Sequence, residues 1–156
     1  MKKILILIFL FMLIPVVKAE EEDLAPSAKS AIMIEASTGE ILFQKNKEER
    51  LAPASMTKMM SMLLIMEEIE KGNLKWDEMI TASERASSMG GSQIFLKAGE
   101  KMTVTDMLKE IAIVSGNDAT VAMAERISGS EESFVKKMNA RAKELGLKNT
   151  NFVNAT

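Results

Sequence analysis

The stretch from Ala52 to Gly72 reads APASMTKMMSMLLIMEEIEKG and dominates the prediction of the fold. From Ser55 to Lys71 it contains no glycine or proline, and most of its residues favour helix, so it predicts a helix that stops at Gly72. Residues 56–66 are apolar on nearly every side of that helix. Because a surface helix has only one apolar stripe, we expect this helix to be buried in the centre of a domain.

A hairpin is predicted before this helix. The apolar runs Ala31–Ile34 and Ile41–Phe43 have strand length and are separated by the turn sequence Ser37-Thr38-Gly39.

After the helix, Ile94–Leu96 predicts one short strand. Three more helices are expected: the first is capped by Thr103 or Thr105 and ends at Ser115-Gly116, the second covers 118–127, and the third covers 131–145 with Phe134, Val135, Met138 and Leu145 on its apolar side.

The first residues have the pattern of a signal peptide. Met1-Lys2-Lys3 is followed by an apolar run over residues 4–17 and by the small-residue cleavage pattern Val17-Lys18-Ala19. A membrane-spanning anchor is the alternative, but this run is shorter than the about 20 residues that cross a bilayer. We therefore predict an exported chain with a signal peptide over residues 1–19, a linker over 20–29 and a domain over 30–156.

The composition excludes several classes of function. The net charge is −2, and removal of the signal peptide takes away Lys2, Lys3 and Lys18 and no acidic residue, so the exported part is a poor binder of nucleic acid. The absence of cysteine and histidine excludes disulfides, Cys–His and Ser–His–Asp nucleophiles and the usual zinc sites. No cofactor is expected, and a hydrolase of this composition must use a carboxylate or a lysine as its base.

The start of the long helix carries a Ser-x-x-Lys motif, Ser55-Met56-Thr57-Lys58. Residues three apart on a helix have Cβ atoms about 5–6 Å apart, close enough for the lysine amine to take the serine proton. Burial favours the neutral amine that a base requires, and the first helical turn leaves the Ser55 N–H free to hold a developing oxyanion. The alternative for Ser55 is a simple helix-capping serine.

This spacing alone is not specific, because Ser133-Phe134-Val135-Lys136 repeats it. The second copy lies in a stretch rich in charged residues. Lys136 is therefore expected to be a solvated, protonated side chain that cannot act as a base.

A second motif, Ser115-Gly116-Asn117, falls in a break between two predicted helices, where side chains can face a cleft. Taken alone, it is equally well explained by a helix that ends at Gly116 and another that is capped by Asn117. A buried Ser-x-x-Lys followed about sixty residues later by Ser-x-Asn is, however, the ordered motif pair of penicillin-binding proteins and serine β-lactamases.

The chain resembles the low-molecular-mass penicillin-binding proteins, the serine-type D-alanyl-D-alanine carboxypeptidase family. The resemblance covers the sequence from Ala31 to Thr156, and its motifs are Pro53–Lys58, Gly91–Gln93, Ser115–Ala119 and Asn149–Asn154. It implies that Ser55 is the acylated nucleophile and Lys58 its base. It also implies that Ser115 relays a proton toward the leaving group and that Asn117 binds the substrate peptide.

The same resemblance implies the fold and the partners. The fold would be α/β, of the mixed α+β β-lactamase/transpeptidase type, in which helices and a helical subdomain flank an antiparallel sheet. The substrate would be a peptidoglycan peptide that ends in D-Ala-D-Ala, and β-lactam antibiotics would be covalent inhibitors. The protein would work outside the cytoplasm in the cell envelope, with no nucleic acid partner, and membrane association through a segment after Thr156 is left open.

One family motif is missing. Lys-Thr-Gly, which lies on a substrate-binding strand in the family, does not occur after Ser115, so we expect this chain to be the N-terminal part of a longer catalytic domain. Two alternatives remain. A serine β-lactamase-like hydrolase is disfavoured because Gly116 stands where class A enzymes usually have Asp. The other alternative is an inactive, truncated penicillin-binding module, and the missing motif is its main support.

Overall fold

The computed structural model describes residues 23–156, and the chain divides into two compact units between Leu51 and Ala52. The predicted signal peptide, residues 1–19, lies outside the described residues. No helix among residues 23–156 is long and apolar enough to span a membrane.

The first unit contains the predicted hairpin. Strands β1 (Ala31–Ile34) and β2 (Ile41–Lys45) pair antiparallel, with Ala31 opposite Lys45. In the turn, the Glu35 carboxylate accepts hydrogen bonds from the hydroxyl and N–H of Ser37 and from the N–H of Thr38, which lower the pKa of Glu35 to about 2. The hairpin prediction is confirmed, and β2 is two residues longer than its apolar run.

The second unit is mainly helical, as expected, and also contains a small antiparallel pair. Its elements are a 3₁₀ turn (Ala54–Thr57), α1 (Lys58–Glu70), β3 (Met79–Thr81), α2 (Glu84–Ser87), β4 (Lys101–Thr103), α3 (Val104–Ile113), α4 (Asn117–Ser128) and α5 (Glu131–Glu144). Strand β3 pairs with β4, a contact that no periodic pattern in the sequence predicts. Thr103 caps α3 by accepting a hydrogen bond from the N–H of Asp106, which decides between the two predicted caps.

The central helix of the second unit is α4 rather than α1. Every residue from Asp118 to Ala124 is buried, and three of them are alanines that let neighbouring helices approach closely. Helix α1 buries Leu64 and Ile65 in the core, but Met59 and Met66 are 68% and 45% exposed. The prediction that α1 is buried in the centre of a domain is therefore wrong for this unit, since one apolar face of the helix lies open.

The predicted strand at Ile94–Leu96 is also wrong. Phe95 has a φ of +62°, which an extended strand does not allow. The N–H groups of Ile94 and Leu96 donate to the Asp118 carboxylate at 3.1 and 3.0 Å. The peptide groups of this apolar segment are thus paired with one buried side chain instead of a neighbouring strand.

Candidate active site

Ser55 lies in the 3₁₀ turn that leads into α1. The residue before it, Ala54, has a φ of +50°, a left-handed conformation that is strained for a residue with a side chain. Within the part of the chain that the structure describes, no side chain caps the turn or α1, so the interpretation of Ser55 as a helix-capping serine is wrong. Among the described residues, no carbonyl accepts a hydrogen bond from the Ser55 N–H. The exposed hydroxyl and the N–H of Ser55 are both available to a ligand.

Lys58 is the first residue of α1, and only 2% of its surface is exposed. Its Nζ donates a hydrogen bond to the Ser55 Oγ at 3.2 Å. None of the carboxylates in residues 23–156 forms an ion pair with it. Burial lowers the pKa of Lys58 from its ordinary value of 10.5, because the charged ammonium loses its hydration. The amine is therefore easier to deprotonate than an exposed lysine.

Asn117 completes a contact between two distant parts of the chain. It is the first residue of α4, and its Oδ1 accepts a hydrogen bond from the Lys58 Nζ at 2.6 Å. Its Nδ2 donates to the Gly90 carbonyl at 2.6 Å, and its backbone N–H donates to the Ser92 carbonyl at 2.7 Å. Asn117 does not cap α4, so the purely structural alternative for this motif is wrong at this residue.

Ser115 lies in the turn between α3 and α4, two residues before Asn117. It has a φ of +61°, and its Oγ is buried without a hydrogen-bond partner among the described residues. Buried hydroxyls are nearly always paired, so an unpaired one beside a candidate site indicates a group that a ligand would satisfy. The structure thus joins Ser55, Lys58 and Asn117 by direct hydrogen bonds. It places Ser115 in the turn that precedes Asn117, with no hydrogen bond from its hydroxyl to the other three in the part of the chain that is described.

The second Ser-x-x-Lys copy has none of these features. Ser133 and Lys136 are exposed on α5, as expected, and no hydrogen bond joins them within the described chain. The Ser133 hydroxyl instead pairs with the Ser130 hydroxyl at 3.0 Å. The described residues also contain no group of three His, Cys, Asp or Glu side chains that could hold a metal ion.

A sequence model of the D-alanyl-D-alanine carboxypeptidase family, peptidase family S11, matches residues 16–156. The chain belongs to this family. The D-alanyl-D-alanine carboxypeptidase DacF of Bacillus subtilis is 67% identical over 134 residues, which are 86% of this chain and 34% of that protein. The family predicted from the motifs is confirmed.

Solved structures of carboxypeptidases and penicillin-binding proteins share the fold. The D-alanyl-D-alanine carboxypeptidase DacD from Francisella tularensis matches with a TM-score of 0.80 at 44% identity, and the match covers 83% of this chain and 31% of the DacD chain. Penicillin-binding protein D2 from Listeria monocytogenes, in its ampicillin-bound form, has a TM-score of 0.76 at 28% identity, over 86% of this chain and 54% of its own. The predicted fold class is confirmed, and the chain spans about a third of the length of the relatives DacF and DacD.

In this carboxypeptidase-family site, sequence reasoning assigned no role to the segment that holds Asn117. Gly91 lies in that segment with a φ of +79°, and a Cβ added to it would come within 2.9 Å of the Asn117 Nδ2. Only glycine fits so close to the amide in this conformation. The adjacent pair Gly90-Gly91 was the available sequence signal, since paired glycines mark close backbone approaches as well as turns.

Proposed function

We propose that the intact protein is a serine-type D-Ala-D-Ala carboxypeptidase that removes the terminal D-alanine from peptidoglycan stem peptides. The observation that carries the proposal is the buried Lys58 amine, with its lowered pKa, 3.2 Å from the Ser55 Oγ. A lysine in this position can serve as the base that a chain without histidine needs. Membership of the carboxypeptidase family supports the choice of substrate.

In the first step, the Ser55 Oγ attacks the carbonyl carbon of the penultimate D-alanine while its proton passes to the neutral Lys58 amine. The carbonyl oxygen becomes an oxyanion, and the free N–H of Ser55 can donate a hydrogen bond to it. The hydrogen bond from Lys58 to the Asn117 Oδ1 keeps the amine beside the nucleophile. The product of the attack is a tetrahedral adduct on Ser55.

In the second step, the bond to the terminal D-alanine breaks, and its nitrogen must gain a proton. The Ser115 hydroxyl is both a donor and an acceptor and has no hydrogen-bond partner within residues 23–156, so it can pass a proton from Lys58 to the leaving nitrogen. Water then attacks the acyl ester with Lys58 again taking a proton. The bond between the acyl carbon and the Ser55 Oγ then breaks, and the Lys58 ammonium returns its proton to that oxygen. This releases the shortened peptide and restores the Ser55 hydroxyl and the neutral Lys58 amine.

The partners and location belong to the same proposal. The substrate is a peptidoglycan peptide that ends in D-Ala-D-Ala, and β-lactam antibiotics acylate Ser55 as substrate analogues. The ampicillin-bound form of the Listeria monocytogenes relative supports the β-lactam part. We place the protein in the cell envelope, exported by the segment of residues 1–19.

The test is release of D-alanine from a short D-Ala-D-Ala peptide by the intact protein, with the Ser55→Ala variant as control. D-alanine release by the wild type and none by the variant supports the proposal. Turnover of penicillin without D-alanine release supports a β-lactamase instead. Cleavage of cross-linked peptides only would make it an endopeptidase, and a wild type that neither reacts nor is labelled by penicillin would make the proposal wrong.

A further inference from the structure

Asp118 is a fully buried acid beside the candidate active site, and the sequence motifs assign it no role. It follows Asn117 in the first turn of α4, and its relative exposure is 0%. No basic side chain forms an ion pair with it in the part of the chain that the structure describes. A buried carboxylate without a cation is costly unless hydrogen bonds satisfy it.

Backbone N–H groups satisfy this carboxylate. Both oxygens lie within 3.2 Å of the Ile94 N–H, one accepts from Leu96 at 3.0 Å, and the other accepts from the adjacent Ala119 at 2.9 Å. Two of the three donors belong to a segment more than twenty residues earlier in the chain. Hydrogen bonds to an ionised acceptor are stronger than neutral ones, so Asp118 fastens this segment to the start of α4.

The fastened segment in turn holds Asn117. The carbonyls of Gly90 and Ser92 accept the side-chain and backbone N–H groups of Asn117, at 2.6 and 2.7 Å. The bond to Gly90 also fixes the direction of the Asn117 amide, because it keeps the Nδ2 toward Gly90 and leaves the Oδ1 facing Lys58. The orientation of the group that contacts Lys58 therefore depends on where the 90–96 segment lies.

We propose that Asp118 is a positioning residue for the acylation reaction: it holds the 90–96 segment so that the Asn117 amide presents its oxygen to Lys58. The inference rests on the proposed function, since it concerns the geometry of the proposed base. It gives the aspartate after the Ser-x-Asn motif a part in the chemistry without contact to the substrate. Loss of Asp118 would let the amide rotate or withdraw, and Lys58 would lose its 2.6 Å acceptor.

The first variant is Asp118→Asn in the intact protein, with acylation by a fluorescent penicillin as the readout. The amide keeps the size of the side chain but turns one oxygen into a donor that faces an N–H group. We expect acylation to slow by about 10- to 100-fold, the scale of a misplaced reacting group, with thermal unfolding still cooperative. The pH profile of acylation should also move, because the hydrogen bonding of Lys58 changes.

Asp106→Asn is the matched control. Asp106 also lies in the first turn of its helix, α3, and bonds to Thr103 and Lys109 at the surface. If Asp118 acted only as an acid at a helix start, the two variants would behave alike. We expect Asp106→Asn to keep the wild-type acylation rate and pH profile.

Gly91→Ala disturbs the same contact from the other side, because the new Cβ would lie 2.9 Å from the Asn117 Nδ2. Gly99→Ala controls for backbone strain, since Gly99 has a φ of +83° but, apart from its two chain neighbours, no described residue lies within 4 Å of an added Cβ. We expect Gly91→Ala to slow acylation and move the pH profile as Asp118→Asn does, and Gly99→Ala to do neither. In a protein with both Asp118→Asn and Gly91→Ala, the two losses of acylation rate should not multiply, because both substitutions act through Asn117.

Two outcomes overturn the inference: Asp118→Asn folds and is acylated at the wild-type rate, or Gly91→Ala is no slower than Gly99→Ala. If Asp118→Asn does not fold, the acylation rate of Gly91→Ala relative to that of Gly99→Ala decides. If the wild type itself is not acylated at Ser55, the proposed function fails. Wild-type acylation with unaffected variants refutes only the role of Asp118.

Discussion

The chain contains the same Ser-x-x-Lys spacing at the start of α1 and within α5, and the two lysines differ in their surroundings. Lys58 is 2% exposed and bonds to Ser55 and Asn117, whereas Lys136 is exposed and bonds to neither serine nor amide in the described structure. The comparison separates the spacing, which both copies share, from the burial and the distant partner, which only one copy has. Those two features turn a lysine into a candidate base.

The serines differ in the same way. At the start of α5, the Ser130 Oγ caps the helix by accepting from the Ser133 N–H, and the Ser133 hydroxyl pairs with it. At the start of α1, none of the described side chains caps the helix, and Ser55 follows a residue in a left-handed conformation. At the capped start of α5, both serine hydroxyls take part in hydrogen bonds that stabilise the helix itself. The uncapped start leaves its serine for a ligand.

The largest expected difference is in covalent labelling of the intact protein by penicillin. Ser55→Ala should abolish labelling, because it removes the proposed nucleophile, and Ser133→Ala should leave it unchanged. Mass mapping of a digest of labelled wild-type protein identifies the modified residue. Label on Ser133 or Ser115, with Ser55 unmodified, would show that Ser55 is not the nucleophile.

The two lysines should differ almost as much. Lys58→Arg keeps the positive charge but supplies a group that does not give up its proton in a protein, so we expect acylation to fall by about 10² to 10⁴-fold. Lys136→Arg, which makes the same change at the exposed copy, should be acylated at the wild-type rate. Thermal unfolding of both variants shows whether the fold is kept. A folded Lys58→Arg protein that reacts at the native rate would mean that the base lies elsewhere.

The pH dependence of acylation follows from the lowered pKa of Lys58. If Lys58 is the proposed base, its neutral amine is the reactive form, so the rate should rise with pH and reach half of its maximum below 10.5, the ordinary pKa of lysine. Stopped-flow labelling over a pH series measures this midpoint, with unfolding followed at each pH to exclude loss of the fold. A midpoint at or above 10.5 would contradict the role given to burial.

The smallest effect concerns stability rather than reaction. Ser130→Ala removes the α5 cap and should lower the free energy of unfolding by about 1 kcal/mol, with labelling of folded protein unchanged. Ser55→Ala removes no cap and should leave the thermal midpoint close to that of the wild type. Differential scanning calorimetry compares the two. An equal loss in both variants would show that Ser55 also stabilises its helix start.

Much of the helical architecture was predictable because each helix has clear local signals. Ser130 precedes the acidic first turn of α5, and Gly129 ends α4 in the left-handed conformation that glycine favours. The pair β3–β4 was not predictable, since each strand has only three residues and the about twenty residues between them contain only the short helix α2 and otherwise irregular chain. The extent of burial of α1 and α4 was also missed, because periodicity reports which residues are apolar and not which neighbours cover them.

The candidate site, too, was predictable in one part and not in another. Ser55, Lys58, Ser115 and Asn117 were identified because they belong to short motifs, and their roles stay proposals. The hydrogen bonds of Asp118 were not predictable, because its donors, Ile94 and Leu96, lie in a segment whose apolar residues resemble a strand. A carboxylate that binds distant backbone groups leaves no spacing signal in the sequence.

The bond between Lys58 and Asn117 joins residues that are 59 positions apart, so it can form only after α1 and α4 have docked. A compact intermediate can keep both helices while its tertiary packing fluctuates, and its circular dichroism would then resemble that of the native protein. Such a molecule would lack an aligned base. If the proposed acylation of Ser55 holds, penicillin labelling would count the molecules that have completed tertiary assembly, and the antibiotic would then be a probe of folding as well as of activity.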